Sequence, residues 1–376
     1  MTTSANQLIT IRRAELKDSK SLVSIEQSCF VTDRLSERSF RHHIRSTQSD
    51  LFVIERKTDS LKELLGYGLV FCHKGTRLAR LYSLAILPTA RGGGLAQQLL
   101  AHLESTASDR GKHYMRLEVA THNHAAIALY RTMGYSIFGE YSNYYEDHSD
   151  ALRMQKQVRK IRTNGISRSV NWYQQSTEFT CGPASLMMAM ASIDENVSLS
   201  QELEIDIWRE ATTVFMTSGH GGTHPLGLAL AAAKRGFQVA AYLNSHEPPF
   251  IDGVRSEKKK QIMHMVHQQF LSRCLYAHIP ILYQDINQSE IKSYLEKGCA
   301  ILSLISTYRL DGKKAPHWVV ITGIDDDCLF VHDPDIDEKT QQALDCQHIP
   351  IARDDFDKMS SFGSGKLRSS VIIQPR

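Results

Sequence analysis

No excess of charge, no long apolar run and no clustered cysteine marks this sequence. Its 376 residues set 44 Lys and Arg against 41 Asp and Glu, a formal charge of +3. That balance leaves no electrostatic footprint for a nucleic acid or an anionic membrane surface. The seven cysteines, at 29, 72, 181, 274, 299, 328 and 346, form no C-x-x-C pair and no finger-like cluster. Neither a disulfide framework nor a zinc site is indicated on that ground. An odd cysteine count, with no charged-then-apolar signal at the N-terminus, points to a reducing, cytoplasmic setting. No apolar run approaches the roughly 18 residues that a spanning helix needs, so a soluble protein is expected. Internal repeats and low-complexity tracts are absent too.

What is present reads as ordinary globular protein, with 42% hydrophobic and 23% charged residues. The length exceeds what one core organises, so two domains are expected. From residue 9 the pattern predicts a strand (9–13), helices (17–29 and 36–46), strands (51–55, 65–72 and 79–87), a helix (93–110), a strand (114–120), a helix (123–133) and strands (135–141 and 151–155). Such alternation implies an α/β arrangement, a mixed sheet covered by helices. The pattern then lapses into a basic, glycine-containing run, read as a linker over 158–168 between domains at 1–157 and 169–376. The second half opens near 170–174, places a helix at 183–192, and reads as helix or loop until about 270. Strands follow at 279–283, 300–306, 317–324, 328–332 and 369–374, which is α+β in character.

Two places carry chemistry. In the first half, Arg91-Gly92-Gly93-Gly94-Leu95-Ala96 joins a predicted strand to a predicted helix. Glycines let backbone N–H groups approach a diphosphate, and a helix N-terminus favours the anion. Arg91-x-x-Gly94-x-Ala96, followed by Asn123-x-x-Ala126-x-x-Leu129-Tyr130-x-x-x-Gly134-Tyr135, resembles the two signature segments of the GNAT acetyltransferases. Leu117-Glu118-Val119 and Asn143-Tyr144-Tyr145 look like the ribosomal-protein alanine N-acetyltransferase branch. The resemblance implies acetyl transfer from acetyl-CoA to the amine of a peptide or protein. It also implies that Leu84, Ile86, Arg91, Gly92, Gly93, Gly94, Leu95, Ala96, Asn123 and Tyr130 hold acetyl-CoA. By the same carry-over Glu118 takes the ammonium proton, directly or through water, and Tyr130 protonates the departing thiolate. A strand-end carboxylate and a packed aromatic are the plainer readings of those two residues. Tyr144 and Tyr145 read as substrate-groove or edge-strand packing.

In the second half, Gln175 stands six residues before Cys181-Gly182-Pro183, which opens an apolar helix; His317 and Asp333 follow far downstream. A helix N-terminus favours a thiolate, so Cys181 suits a nucleophile. A hairpin centred on Asp325 sets His317 opposite Asp333, with Cβ atoms about 5 Å apart. Centring it on Asp326 sets His317 opposite Asp335 instead, so either carboxylate stands as orienter. His332 falls on the other face and reads as structural. The order Gln175, Cys181, His317, Asp333 resembles papain-like cysteine peptidases, specifically those that process double-glycine leaders. The resemblance implies Cys181 as nucleophile, His317 as base then acid, Asp333 as orienter, and Gln175 (or Gln174) as oxyanion donor. Acyl transfer to an amine instead of water, and a non-catalytic peptide-binding module, are the alternative readings of this half.

Other candidates are weaker. His220, His224, His264 and His267 lack metal-ligand spacing and read as surface or core histidines. The glycine-rich stretch 219–222 reads as a loop bordering the cleft, Lys258-Lys259-Lys260 as a solvated helix start, and Asp325-Asp326-Asp327 as a turn. No metal is expected, and oligomeric state is not legible.

Overall fold

The computed structural model describes residues 8–57, 62–72, 74–159, 165–215, 221–308, 315–336 and 343–375. Two compact units divide the chain, Met1–Ile161 and Arg162–Arg376.

In the first unit, seven strands make one sheet in the order β1-β2-β3-β4-β5-β7-β6. They are β1 (Leu8–Arg13), β2 (Ser49–Lys57), β3 (Lys62–Phe71), β4 (Leu78–Ile86), β5 (Tyr114–Ala120), β6 (Ser136–Tyr141) and β7 (Ala151–Gln157). Helices α1 (Ser19–Cys29) and α2 (Glu37–Arg45) bury Leu22, Ile25 and Phe40 against Val53, Tyr67 and Leu69 of one face. Helices α3 (Leu95–Asp109) and α4 (His124–Thr132) set Leu99, Leu100, Leu103 and Ile127 against Met115 and Leu117 of the other. Each fully buried Leu contributes about 1.5–3 kcal/mol, so the two apolar stripes decide which faces pair. The pairing of β4 with β5 is parallel and covers only Leu78↔Tyr114, Ala79↔Met115 and Arg80↔Arg116. Beyond Arg80 the two strands part, and Tyr82 lies in a bulge of β4, where Leu69↔Ser83 gives way to Val70↔Leu81.

The second unit contains β8 (Ile166–Ser167), β9 (Gln238–Leu243), β10 (Ile281–Leu282), β11 (Ala300–Ser306), β12 (Pro316–Ile324), β13 (Cys328–His332), β14 (Ile349–Ala352) and β15 (Ser369–Gln374). Their order is β10-β9-β15-β11-β12-β13-β14, with β8 added to β12. Only β10 with β9 is parallel among the described pairs. Helices α5 (Cys181–Ala191), α6 (Gln201–Ala211), α7 (Pro225–Lys234) and α8 (Glu257–Tyr276) supply residues to the core that includes Leu302, Leu304, Trp318 and Val320. On the other face α9 (Gln288–Glu296) and α10 (Arg353–Met359) cover Ile301, Val319 and Ile321. Helix α5 is buried on all sides from Gly182 to Met190, so it runs through the centre of this core.

Three sequence expectations need correction. The run 158–168 is not all linker: Ile166 and Ser167 pair with Ile324 and Gly323, because Gly323, lacking a Cβ, lets the Ile166 carbonyl approach. Residues 238–243, expected to be helix or loop, form the buried strand β9. The helix expected at 183–192 begins at Cys181, which is its first residue. The sequence 219–220, with His220, lies outside the described residues.

Candidate functional site

Cys181 reaches His317 because α5 packs against β12 at its first turn. A Cβ on Gly182 would lie 2.0 Å from Thr223 Oγ1 and 3.1 Å from Trp318 Cδ1. Only glycine permits that approach, and the Ser185 hydroxyl fastens the next turn to the Trp318 carbonyl (3.0 Å). His317, next to Trp318 in β12, is thereby brought beside Cys181, close enough for the two side chains to interact. Its Nε2 bonds Asp333 Oδ1 at 2.6 Å. Burial opposes charge on this imidazole. Asp333 and Cys181 outweigh it and hold His317 well above the usual histidine value.

Of the two hairpin registers expected from the sequence, the pairs nearest His332 follow the one centred on Asp326. Val320 pairs with His332 and Ile321 with Val331, and a bulge at Thr322 then shifts Gly323 onto Phe330. Continued straight, this ladder would set His317 opposite Asp335. Asp333 nonetheless takes the imidazole, because the chain leaves the ladder after His332. The Asp333 N–H donates to the Cys346 carbonyl (2.8 Å), and the Trp172 indole donates to the Asp333 carbonyl (2.7 Å). Asp335 does something else. Its N–H donates to Asp333 Oδ1 (2.9 Å), while its own Oδ1 accepts from Gln175 Nε2 (3.2 Å). Gln175 is buried and Gln174 exposed, so the structure brings Gln175 to this turn.

The remaining candidates in this unit take structural positions. His332 Nε2 meets the Val170 carbonyl (2.9 Å) and its Nδ1 accepts the His348 N–H (2.8 Å). Asp325 Oδ1 accepts from the N–H groups of Asp327 and Cys328, which makes 325–327 a turn. His224 and His267 lie in the core, ring to ring at 2.9 Å, whereas His264 is exposed. Lys260 pairs with Glu257 in the first turn of α8. No group of three metal-ligating side chains occurs among the described residues.

In the first unit, Gly92 (φ 88°) and Gly94 (φ 72°) take left-handed backbone, and a Cβ on Gly92 or Gly93 would meet nothing within 4 Å. The loop is therefore open in front of α3. Arg91 folds back, its Nε donating to the Ile86 carbonyl (3.0 Å), and Asn123 caps α4 through the Ala126 N–H (3.2 Å). Leu84 is half-buried and Ile86 buried, both on the part of β4 unpaired with β5; Leu95 and Ala96 open α3. Glu118 lies buried against Arg80, which donates to its Oε2 from Nε (3.0 Å) and Nη2 (2.7 Å). Arg80 Nη2 also donates to the Tyr144 hydroxyl (2.9 Å). Tyr130 is buried, and burial together with Glu118 raises its phenol above the ordinary value. Tyr145 and Tyr144 are raised likewise, by burial first and Glu118 second.

Residues 170–374 match the Peptidase_C39 like family, more than half of the chain. The chain belongs to the Peptidase_C39 like family. Residues 19–135 match the acetyltransferase (GNAT) family, so a GNAT acetyltransferase domain precedes the C39-like one. The chain is similar to a putative ribosomal protein bS18-alanine N-acetyltransferase of Bacillus subtilis (strain 168), 28% identical over 38% of this chain and 92% of that protein. It is similar also to the N-terminal acetyltransferase A complex catalytic subunit NAA10 of Arabidopsis thaliana, 29% identical over 40% of this chain and 79% of that one. Among solved structures, the ribosomal-protein-S18-alanine N-acetyltransferase from Escherichia coli is 26% identical, with a TM-score of 0.37, covering 42% of this chain and 98% of that chain.

Within this C39-like domain and its GNAT companion, sequence reasoning missed Arg80 and Glu204. Both left a signal. Arg80 and Glu118 are opposite charges, each set in an apolar run of adjacent strands, a pattern that predicts an inward-facing ion pair. Glu204 stands among the apolar positions of an amphipathic helix, where a carboxylate is out of place unless bonded. No helix among the described residues is long and apolar enough to cross a membrane.

Proposed function

We propose that this chain is a bifunctional cytoplasmic enzyme, an acetyl-CoA-dependent N-acetyltransferase of peptide or protein amines joined to a Cys181–His317–Asp333 cysteine peptidase. The observation that carries the peptidase half is the buried His317 imidazole, bonded through Nε2 to Asp333 and lying beside Cys181. A neighbouring imidazolium favours the thiolate form of a cysteine, which is the form that attacks. Sulfur attacks the scissile carbonyl carbon, the C–N bond breaks, and His317 gives its proton to the leaving amine. Water then loses a proton to His317 and releases the acyl group from Cys181. The Cys181 N–H, at the start of α5, and the second Nε2 hydrogen of Gln175 are the donors for the oxyanion. Asp333 keeps the ring in the orientation that serves both steps.

For the acetyltransferase half, the open glycine loop and the parting of β4 from β5 fit acetyl-CoA. N–H groups from Gly92 to Ala96 would bind its diphosphate, and the free edge at Leu84 and Ile86 its amide arm. The thioester supplies an activated acetyl group. Glu118 accepts the proton of the substrate ammonium, through water. Tyr130, held protonated by burial, donates its O–H to the leaving sulfur.

One incubation tests both halves: the protein with mixed peptides, with and without acetyl-CoA, read by mass. Scission without acetyl-CoA and a gain of acetyl with it are expected. Cys181→Ala is expected to end scission and spare acetylation. Scission that survives Cys181→Ala overturns the peptidase half, and peptides that never gain acetyl overturn the other.

A further inference from the structure

We infer that Glu204 is the positioning residue for the oxyanion side of the peptidase site, holding Gln175 in place through its chain neighbours Tyr173 and Ser176. This rests on the peptidase reading above. Glu204, in the first turns of α6, is fully buried. Its Oε1 accepts the Ser176 N–H (2.9 Å), and its Oε2 accepts the Ser176 hydroxyl (2.6 Å) and the Tyr173 hydroxyl (3.0 Å). All three partners donate and none accepts through these contacts. The Glu204 carboxylate serves all three at once, and an alanine in its place would leave the Ser176 N–H and both hydroxyls without this acceptor. No ion pair of Glu204 occurs among the described residues, so those hydrogen bonds are what satisfy the buried carboxylate.

Gln175 lies between the two clamped residues. Its N–H donates to the Pro334 carbonyl (2.9 Å) and its Nε2 to Asp335. The segment is thus gripped from α6 on one side and from the 333–335 turn on the other. From there to Cys181 the chain is tied by Thr180, whose hydroxyl accepts the Thr177 N–H (3.2 Å) and whose N–H caps the turn onto Thr177 O (3.4 Å). Releasing Glu204 frees the Gln175 side of the cleft and leaves the Cys181–His317–Asp333 contacts intact.

The test uses full-length protein, a mixed set of N-blocked tripeptide aldehydes, whose adduct with Cys181 needs the oxyanion donors, and iodoacetamide, whose alkylation does not. Gln175→Ala is expected to weaken aldehyde binding by about 10²-fold and Glu204→Ala by about tenfold or more, both with Cys181 alkylation kept within about twofold. In the double variant the loss should be no greater than in Gln175→Ala alone, since Glu204 acts through Gln175. Tyr173→Phe removes one of the three bonds, guards against a Glu204 variant that fails to fold, and should give a smaller loss of the same kind. Aldehyde binding unchanged in both Glu204→Ala and Tyr173→Phe, or losses that multiply in the double variant, overturns the inference. Wild-type protein alkylated no faster at Cys181 than at its other cysteines overturns the peptidase reading itself.

Discussion

Asp335 donates its backbone N–H to the carboxylate of Asp333 at 2.9 Å. One turn therefore serves both flanks of the candidate nucleophile: Asp333 fixes the base, and Asp335 fixes Gln175 by accepting from its amide. Two carboxylates that compete for one role in the sequence divide two roles in the fold.

The charge on His317 depends on Asp333, so Asp333→Asn should lower its titration midpoint by about one unit or more. The folded-state value is raised above the ordinary 6.5. Its stabilising contribution is then fully present below the ordinary value and lost as pH rises through the folded one. Ring-proton NMR of His317 should show the downward shift, and the alkaline limb of peptide cleavage should move with it. Cleavage itself should fall by about 10²-fold or more. An unmoved midpoint would show that Asp333 does not hold the proton.

Gly182→Ala should destabilise the second unit by about 1–3 kcal/mol, because the added methyl meets Thr223 Oγ1 inside contact distance. Thr223→Ala in the same chain should restore part of the loss, although Trp318 still crowds the site. Urea unfolding of the single and double variants measures both, and equal stability of Gly182→Ala and wild type would contradict the packing described.

Much of this site was legible because its chemistry sits at punctuation marks. A cysteine before Gly182 and Pro183 announces a helix start, and His317 opens an apolar strand. Register was harder to read. The Thr322 bulge, held by His348 Nδ1 at 2.8 Å and by the Arg168 N–H on its carbonyl, inserts one residue that no periodicity reveals. Strand β9, with the sequence Gln-Val-Ala-Ala-Tyr-Leu, is buried on both faces and shows no alternation, so its alanines read as helix. The ring of side chains around Glu118 joins residues from β4, β5, α4 and the loop after β6, a tertiary arrangement without local pattern.

His224 and His267 should make the second unit sensitive to acid. His224 Nδ1 accepts the Leu226 N–H, so the neutral ring donates from Nε2 to His267 Nδ1, and His267 Nε2 donates to the His246 carbonyl. Every nitrogen is used once, and protonating either ring sets N–H against N–H. Burial lowers both values, His224 well below 6.5. For a depressed histidine the stabilisation is present above the unfolded value and fades as pH falls through it. Stability measured by urea between pH 8 and about 5 should decline, and His267→Gln, which retains a donor and an acceptor, should flatten that slope. A slope the same in both proteins would count against this pair as the source.

Arg80 and Glu118 set the last expectation. Their side chains are only 4% and 6% exposed, so removing one partner strands the other in a low-dielectric site. Arg80→Met should cost about 3–5 kcal/mol in the first unit, whereas Arg80→Met with Glu118→Leu should recover most of it. Acetylation separates the roles further. Glu118→Gln keeps a hydrogen-bonding acceptor for Arg80 but removes its counter-charge, so it should lower the melting temperature less than Arg80→Met does, and the rate, assayed well below that temperature, by about 10²-fold, since it deletes a proton acceptor. If that variant acetylates peptides at the wild-type rate, Glu118 is a structural anchor for Arg80 and Tyr144, and the proton leaves the substrate by another route.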